Sequence, residues 1–205
     1  MGTMSLQSLV ITLKRGRLNA FYPLLQQGVW VPCRVGVTLD DLLVNQWGVD
    51  AGYVASRITT IFVDSRAVDN VATTLVAGGG VVALSGAMPG LVGATMRRGG
   101  FYAAMRGAMT YRMDAGAESG GTGRVRVKLF NLLLEELGPG FLSRGILLPA
   151  ADLFSLLTGG EFSGSDFTVS PLLNSGALSP GELPAALDEM DDEELLLNVE
   201  FEDDP

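Results

Sequence analysis

The sequence predicts an α+β fold, with a mixed sheet packed on one main helix and followed by a C-terminal extension and an acidic tail. Three observations carry this. Several short segments alternate apolar and polar residues, the period of a half-buried strand. Residues 38–47 combine helical spacing with start and stop signals. Charge is divided along the chain: residues 1–130 hold 13 Lys/Arg against 7 Asp/Glu, whereas residues 131–205 hold 1 against 16. A mildly basic body is therefore followed by a strongly acidic end.

In chain order, Leu9, Ile11 and Leu13 alternate with Val10, Thr12 and Lys14, so residues 6–14 read as a first strand, which Arg15-Gly16-Arg17 turns. Residues 18–28 hold Phe21, Leu24 and Leu25 near helical spacing, and Pro23 limits them to a short or irregular turn. Val29, Val31, Cys33 and Val35 alternate with Trp30, Pro32 and Arg34 in a second strand. Pro32 lacks an N–H and suits an edge or a strand start. Thr38 is a good N-cap, Asp40 and Asp41 sit in the first turn, and Gly48 stops the helix. Leu39, Leu42, Leu43 and Trp47 form its apolar stripe. Asp40-Asp41 reads as capping, because adjacent residues diverge around a helix and do not form an acid/base pair. A helical turn at residues 51–57 leads into residues 61–90, IFVDSRAVDNVATTLVAGGGVVALSGAMPG, with strands around Ile61/Val63 and Val82/Leu84, a polar turn at Asp64-Ser65 and a triple glycine at residues 78–80.

Further on, 13 of the 27 glycines fall between Gly78 and Gly123. Residues 88–113 hold five of the eight methionines, four arginines and no acidic residue. Such a segment is either an adaptable binding surface, as methionine provides at promiscuous interfaces, or a compact extension whose Phe101, Tyr102 and Tyr111 pack back on the sheet. Residues 114–123, DAGAESGGTG, read as a flexible linker. Val125, Val127 and Leu129 alternate with Arg126 and Lys128 in another strand, and residues 131–137 either extend it or turn helical. Residues 146–157 are apolar, with a helix from about Ala150 that Gly159-Gly160 stops. The expected organisation is a first domain over residues 1–95, a Gly/Met/Arg-rich connection over 96–123, a small second unit or sheet extension over 124–175, and a flexible acidic tail over 176–205.

Composition narrows the chemistry. There is no histidine, which removes Ser-His-Asp and Cys-His nucleophile activation and every His-containing zinc site. The single cysteine, Cys33, excludes an intramolecular disulfide, fits a reducing compartment and falls on an apolar face, where a thiol is inert. The glycines form neither a P-loop nor a dinucleotide fingerprint. No apolar run reaches the ~18–20 residues that span a bilayer, and the N-terminal charges follow the apolar segment, the wrong order for a signal peptide. The expectation is a cytoplasmic protein that is not an enzyme, uses no cofactor and no metal, and binds a protein partner. Four arginines in a chain with a pI near 4.4 argue against nucleic acid, and no feature points to a membrane.

The succession of strand, irregular turn, strand, a helix opening Val-Thr-Leu, IFVDSRAVDN, the triple-glycine loop and VVALSGAMPG resembles the β-grasp fold of ubiquitin-like sulfur carriers, the thiamine- and molybdopterin-type small proteins, over about residues 6–93. The resemblance implies a β-grasp sheet for residues 1–95. In that family the last strand ends in a diglycine that an adenylating enzyme activates. Here Pro89-Gly90 stands at that place and the chain continues, so a ubiquitin-like interaction or adaptor module, alone or as a subunit of a larger assembly, is the first reading. The alternative is a sulfur carrier or modifier precursor processed to a terminal glycine. Arg97-Arg98-Gly99-Gly100 looks like the tail of ubiquitin-type modifiers, which makes Gly99 and Gly100 the processing candidates ahead of Gly90. The interaction candidates are Arg97, Arg98, Phe101, Tyr102 and Arg106, together with Leu195, Leu196 and Phe201 behind the carboxylate cluster of residues 188–194. That second group reads as an acidic-hydrophobic docking peptide, for a basic partner or for this chain's own surface at residues 97–128.

Overall fold

The computed structural model describes residues 6–111, 121–160, 162–191 and 193–203. Most of the expected linker at residues 114–123 lies outside them. In chain order the strands are β1 (Gln7–Lys14), β2 (Val29–Arg34), β3 (Val37–Thr38), β4 (Thr60–Val63), β5 (Arg66–Ala67), β6 (Leu75–Val76), β7 (Val81–Ser85), β8 (Thr122–Phe130), β9 (Ile146–Pro149), β10 (Phe167–Leu173), β11 (Gly176–Ala177) and β12 (Glu194–Glu202). The α-helices are α1 (Tyr22–Gln27), α2 (Ala51–Ser56), α3 (Gly90–Met96), α4 (Leu133–Arg144), α5 (Ala150–Thr158) and α6 (Leu183–Met190). The fold is thus α+β with mixed, mostly antiparallel strand pairing and several helices, where one main helix was expected. The chain divides into two compact units, one of residues 1–24 and 138–205 and the other of residues 25–137.

In the first unit the strand order is β11-β10-β1-β12-β9. β1 and β12 run parallel in continuous register from Gln7↔Leu195 to Lys14↔Glu202, with β10 antiparallel to β1 and β9 antiparallel to β12. Leu9, Ile11 and Leu13 of β1, and Leu195, Leu197 and Val199 of β12, are buried together with Leu153 of α5 and Leu183 and Leu187 of α6. The end of the chain expected to be a flexible tail is here a helix and a strand. Its period-two apolar residues have a face to bury, and that burial outweighs the acidic composition around them. Residues 146–157 divide into β9 and α5, with the helix starting at Ala150.

In the second unit the order is β2-β8-β7-β4-β5, with β3 and β6 forming a separate two-stranded ribbon. β8 is parallel to β7 and antiparallel to β2, and β4 is antiparallel to β7 and β5. The strand at residues 6–14 forms, but it belongs to the first unit. The place beside β2 is taken by β8, from the other end of the segment. Asp64 and Ser65 both adopt positive φ, 48° and 66°, the paired geometry of a tight hairpin turn between β4 and β5. The expected helix forms at residues 39–46, mostly as a wider π-type turn over Asp41–Gln46. Thr38 Oγ1 accepts from the Asp41 amide at 3.2 Å as the cap, Gly48 ends the helix at φ 61°, and Leu39, Leu42, Leu43 and Trp47 are buried. Residues 131–137 turn helical, opening α4. Both units share one pattern, a parallel pair flanked on each side by an antiparallel strand.

Candidate docking surface

Parallel β7 and β8 cannot be joined by a hairpin, so a crossover must connect them. That crossover begins at Gly86. Within it, α3 packs against a 3-10 helix at Phe101–Met109. The turn into α3 is tight: a Cβ on Gly93 would stand 1.8 Å from the Met88 carbonyl oxygen, so only glycine fits. Ties to the body hold the crossover down. The Arg98 amide donates to Thr59 O and its Nη2 to Val54 O, both at 2.8 Å, and the Tyr111 amide donates to Ala67 O at 2.8 Å. Burial lowers the Arg98 pKa, and Asp69 opposes that shift. Arg106 Nη2 meets Asp69 Oδ1 at 2.7 Å and the Arg97 carbonyl at 3.1 Å, while its Nε and Nη1 are buried without a hydrogen-bond partner among the described residues.

Held this way, the crossover turns apolar side chains outward. Leu91 is 68% exposed, Val92 63%, Phe101 92%, Tyr102 43% and Met105 68%, and the Phe101 and Tyr102 rings meet edge to face at 5.2 Å. Arg97 is exposed beside them. An apolar cleft of about 400 Å³ opens where the crossover leaves the sheet, walled by Phe62, Ala83, Phe130, Met88 and Pro89. Its polar margin is turned inward: Asn131 Nδ2 donates to Ser85 Oγ at 3.0 Å and to the Ala87 carbonyl. Asn131 takes a positive φ of 58° to do so.

The outward face of this unit's sheet is basic and aromatic. The register sets Trp30 opposite Arg126, and Lys128 beside Ala83 with Phe62 beyond. The Arg124 guanidinium lies 4.9 Å and that of Arg126 6.0 Å from the Trp30 ring centroid. Arg126 Nε also donates to the Gly28 carbonyl at 3.2 Å. Cys33 sits half-buried on the opposite, inner face, and burial pushes its thiol up to about 11.

The candidate residues fall into four groups. Arg97, Phe101 and Tyr102 are exposed on one short segment, and Arg98 is half-buried there. Arg106 is buried, so its guanidinium anchors the crossover and is unavailable to a partner. Leu195, Leu196 and Phe201 lie in β12 of the first unit: Leu195 is in the core and Phe201 packs edge to face on Phe21 at 6.1 Å. Their chain is a strand of the sheet and not the free peptide that the sequence suggested. Gly90 starts α3 at φ 78°; Gly99, at φ 58°, and Gly100 form the turn between α3 and the 3-10 helix. A chain ending at Gly100 would lack β8, which lies between β2 and β7.

Leu91 and Val92 escaped the sequence reading because they follow no regular period, and Met105 stood there only as one of the five methionines of residues 88–113. Arg126 and Lys128 were visible as the polar half of an alternating strand, but nothing local showed that β8 is an inner strand. Among the described residues no three His, Cys, Asp or Glu side chains stand together as metal ligands, and no helix is long and apolar enough to cross a membrane. Comparison of the chain with protein-family models, curated proteins and solved structures finds no match.

Proposed function

We propose that this protein is a non-catalytic interaction module that docks on a partner protein through the crossover of its second unit. The observation that carries this is the set of outward apolar side chains, Leu91, Val92, Phe101 and Met105, held on an anchored segment beside an apolar cleft. A soluble chain gains nothing by displaying large apolar side chains together, and such patches mark interaction sites. The exposed Arg97 and the lack of any acid over residues 88–113 suit a partner whose contacting surface is apolar with carboxylates at its rim.

The ubiquitin-like resemblance is kept in altered form. The mixed sheet of unit two supports that reading only in a form in which β8 takes the position first given to residues 6–14. A β-grasp reading of this kind serves as a scaffold, because β7 runs on into the crossover and ends in no free glycine.

Affinity purification at native expression level tests the proposal, comparing the wild type with Leu91→Ser/Phe101→Ser/Met105→Ser. A stoichiometric partner should accompany the wild type and be lost from the variant while both melt alike. A partner that stays with the variant, or a wild type that purifies alone, would sink the reading.

A further inference from the structure

The open sheet face of the second unit carries a feature that a purely apolar docking patch does not need. Arg124, Arg126 and Lys128 are successive outward positions of β8, and the next one along the strand, Phe130, walls the cleft. Outward positions on one strand are about 6.7 Å apart. The residues that share this face on β2, β7 and β4 are Trp30, Pro32, Arg34, Val81, Ala83 and Phe62, with Ser85 and Thr60 buried at its cleft end, and there is no carboxylate among them. Two described acids close to this face already have partners: Asp41 accepts from Asn45 and Gln46 and stands 3.9 Å from Arg34, and Asp64 accepts from the Val81 amide at 2.8 Å. Neither Arg126 nor Lys128 has a carboxylate at ion-pair distance among the described residues. A line of cations therefore leads into an apolar cleft.

Resting on the protein-interaction reading, we infer that this face seats an extended polypeptide segment of the partner, with carboxylates at alternate positions and one large apolar side chain that fills the cleft. The match is one of period. An extended peptide repeats its same-side residues at the spacing of the cations on β8, because both are extended chains. Asp or Glu at alternate positions meets Arg126 and Lys128 in turn, and the apolar anchor follows at the cleft end. The Trp30 ring beneath the two guanidinium groups limits their freedom, so less order is lost on binding. A nucleic-acid strand fits less well. The second unit is close to neutral, with 10 Lys/Arg against 9 Asp/Glu over residues 25–137, and the whole chain carries −9. A polyphosphate is repelled by that background at every residue, whereas a short acidic peptide meets only the local line of charge.

The test is a selection of short random peptides displayed on phage against the full chain, followed by anisotropy titrations of the best peptide and of oligo-dT. The expected consensus has Asp or Glu at alternate positions with a Phe, Leu or Trp toward one end. Its affinity should drop about tenfold or more in Arg126→Glu/Lys128→Glu. Arg126→Gln/Lys128→Gln, which keeps the fold without reversing charge, should give an intermediate loss, and added salt should weaken the wild type most. A consensus without alternating acids, an unchanged affinity in the charge-reversed protein, or a selection that enriches nothing overturns the proposal. Tighter binding of oligo-dT, lost with the same substitutions, overturns it in favour of nucleic acid. Partner loss in the Leu91/Phe101/Met105 variant is read separately, so this line can fail while the docking reading stands.

Discussion

Replacing Asp69 by Asn should loosen the crossover, whereas replacing its partner Arg106 by Met should not. The Arg106 side chain is 0% exposed and that of Asp69 40%, with 2.7 Å between Nη2 and Oδ1. Two unit charges ~4 Å apart at an effective dielectric of ~20 attract by about 4 kcal/mol. Water reaches Asp69, so about 2 kcal/mol is the working figure for its loss. In Asp69→Asn the Arg106 charge stays buried with only neutral acceptors, the Arg97 carbonyl and the new amide oxygen, and Gly99 loses the charged acceptor of its amide. Arg106→Met also removes the buried Nε and Nη1, whose missing partners already cost about 1–3 kcal/mol each, so an apolar chain of similar length should come out within about 1 kcal/mol of wild type. Amide exchange at Gly100, Ala103 and Tyr111 reads the opening of this segment directly. The asymmetry is the signature: faster exchange by about thirtyfold in Asp69→Asn and little change in Arg106→Met. Equal losses in the two variants, or unchanged protection in Asp69→Asn, would refute the argument.

Other outcomes follow from single sites. With its thiol pushed up to about 11 by burial, Cys33 should react with iodoacetamide far more slowly than a free thiol at pH 8, gaining about tenfold per pH unit as the thiolate forms; a rate matching glutathione at pH 8 would exclude the buried placement. Gly93→Ala, whose Cβ would strike the Met88 carbonyl, should abolish exchange protection across residues 93–103 while leaving the core of β4 and β7 protected, and retained protection would sink that prediction. Burial pushes the Asp166 pKa up, but hydrogen bonds from the Ser163 amide and hydroxyl and the Arg17 ion pair at 2.8 Å outweigh it and leave the carboxyl below its usual range. A depressed carboxyl stabilises the first unit above the unfolded value of about 3.9 and loses that contribution as pH falls through the folded value. Urea titrations between pH 6 and 3 should therefore show a steeper loss in wild type than in Asp166→Asn; parallel curves would count against it.

Local pattern was a good guide wherever one element buries one face. Thr38, Gly48 and the Leu39/Leu42/Leu43/Trp47 stripe gave the helix, and Val125/Val127/Leu129 gave β8, because those signals act within a turn or a strand. Pairing was not legible: nothing within residues 6–14 says that they lie beside 194–202, since the partner is set by packing across the length of the chain. At residues 194–202 the alternation of Leu195, Leu197 and Val199 was present but was outvoted by the charge of residues 188–194, and net charge is a property of solubility more than of fold. The candidate site was half legible. Phe101 and Tyr102 stood out by composition, whereas the burial of Arg106 depends on Asp69, thirty-seven residues earlier, and the cleft exists only once β4, β7 and β8 are side by side.

The parallel pairing of β1 with β12 has a consequence for how the molecule is made. At ~5–20 residues per second on the ribosome, β1 waits on the order of ten seconds or more for its neighbour. During that interval Leu9, Ile11 and Leu13 have no strand to cover them from that side, while every strand of residues 25–137 has already emerged. Synthesis thus favours a finished second unit beside an unfinished first one. The exposed early strand, and not the glycine-rich crossover, is where a slowed or truncated chain would first need a chaperone.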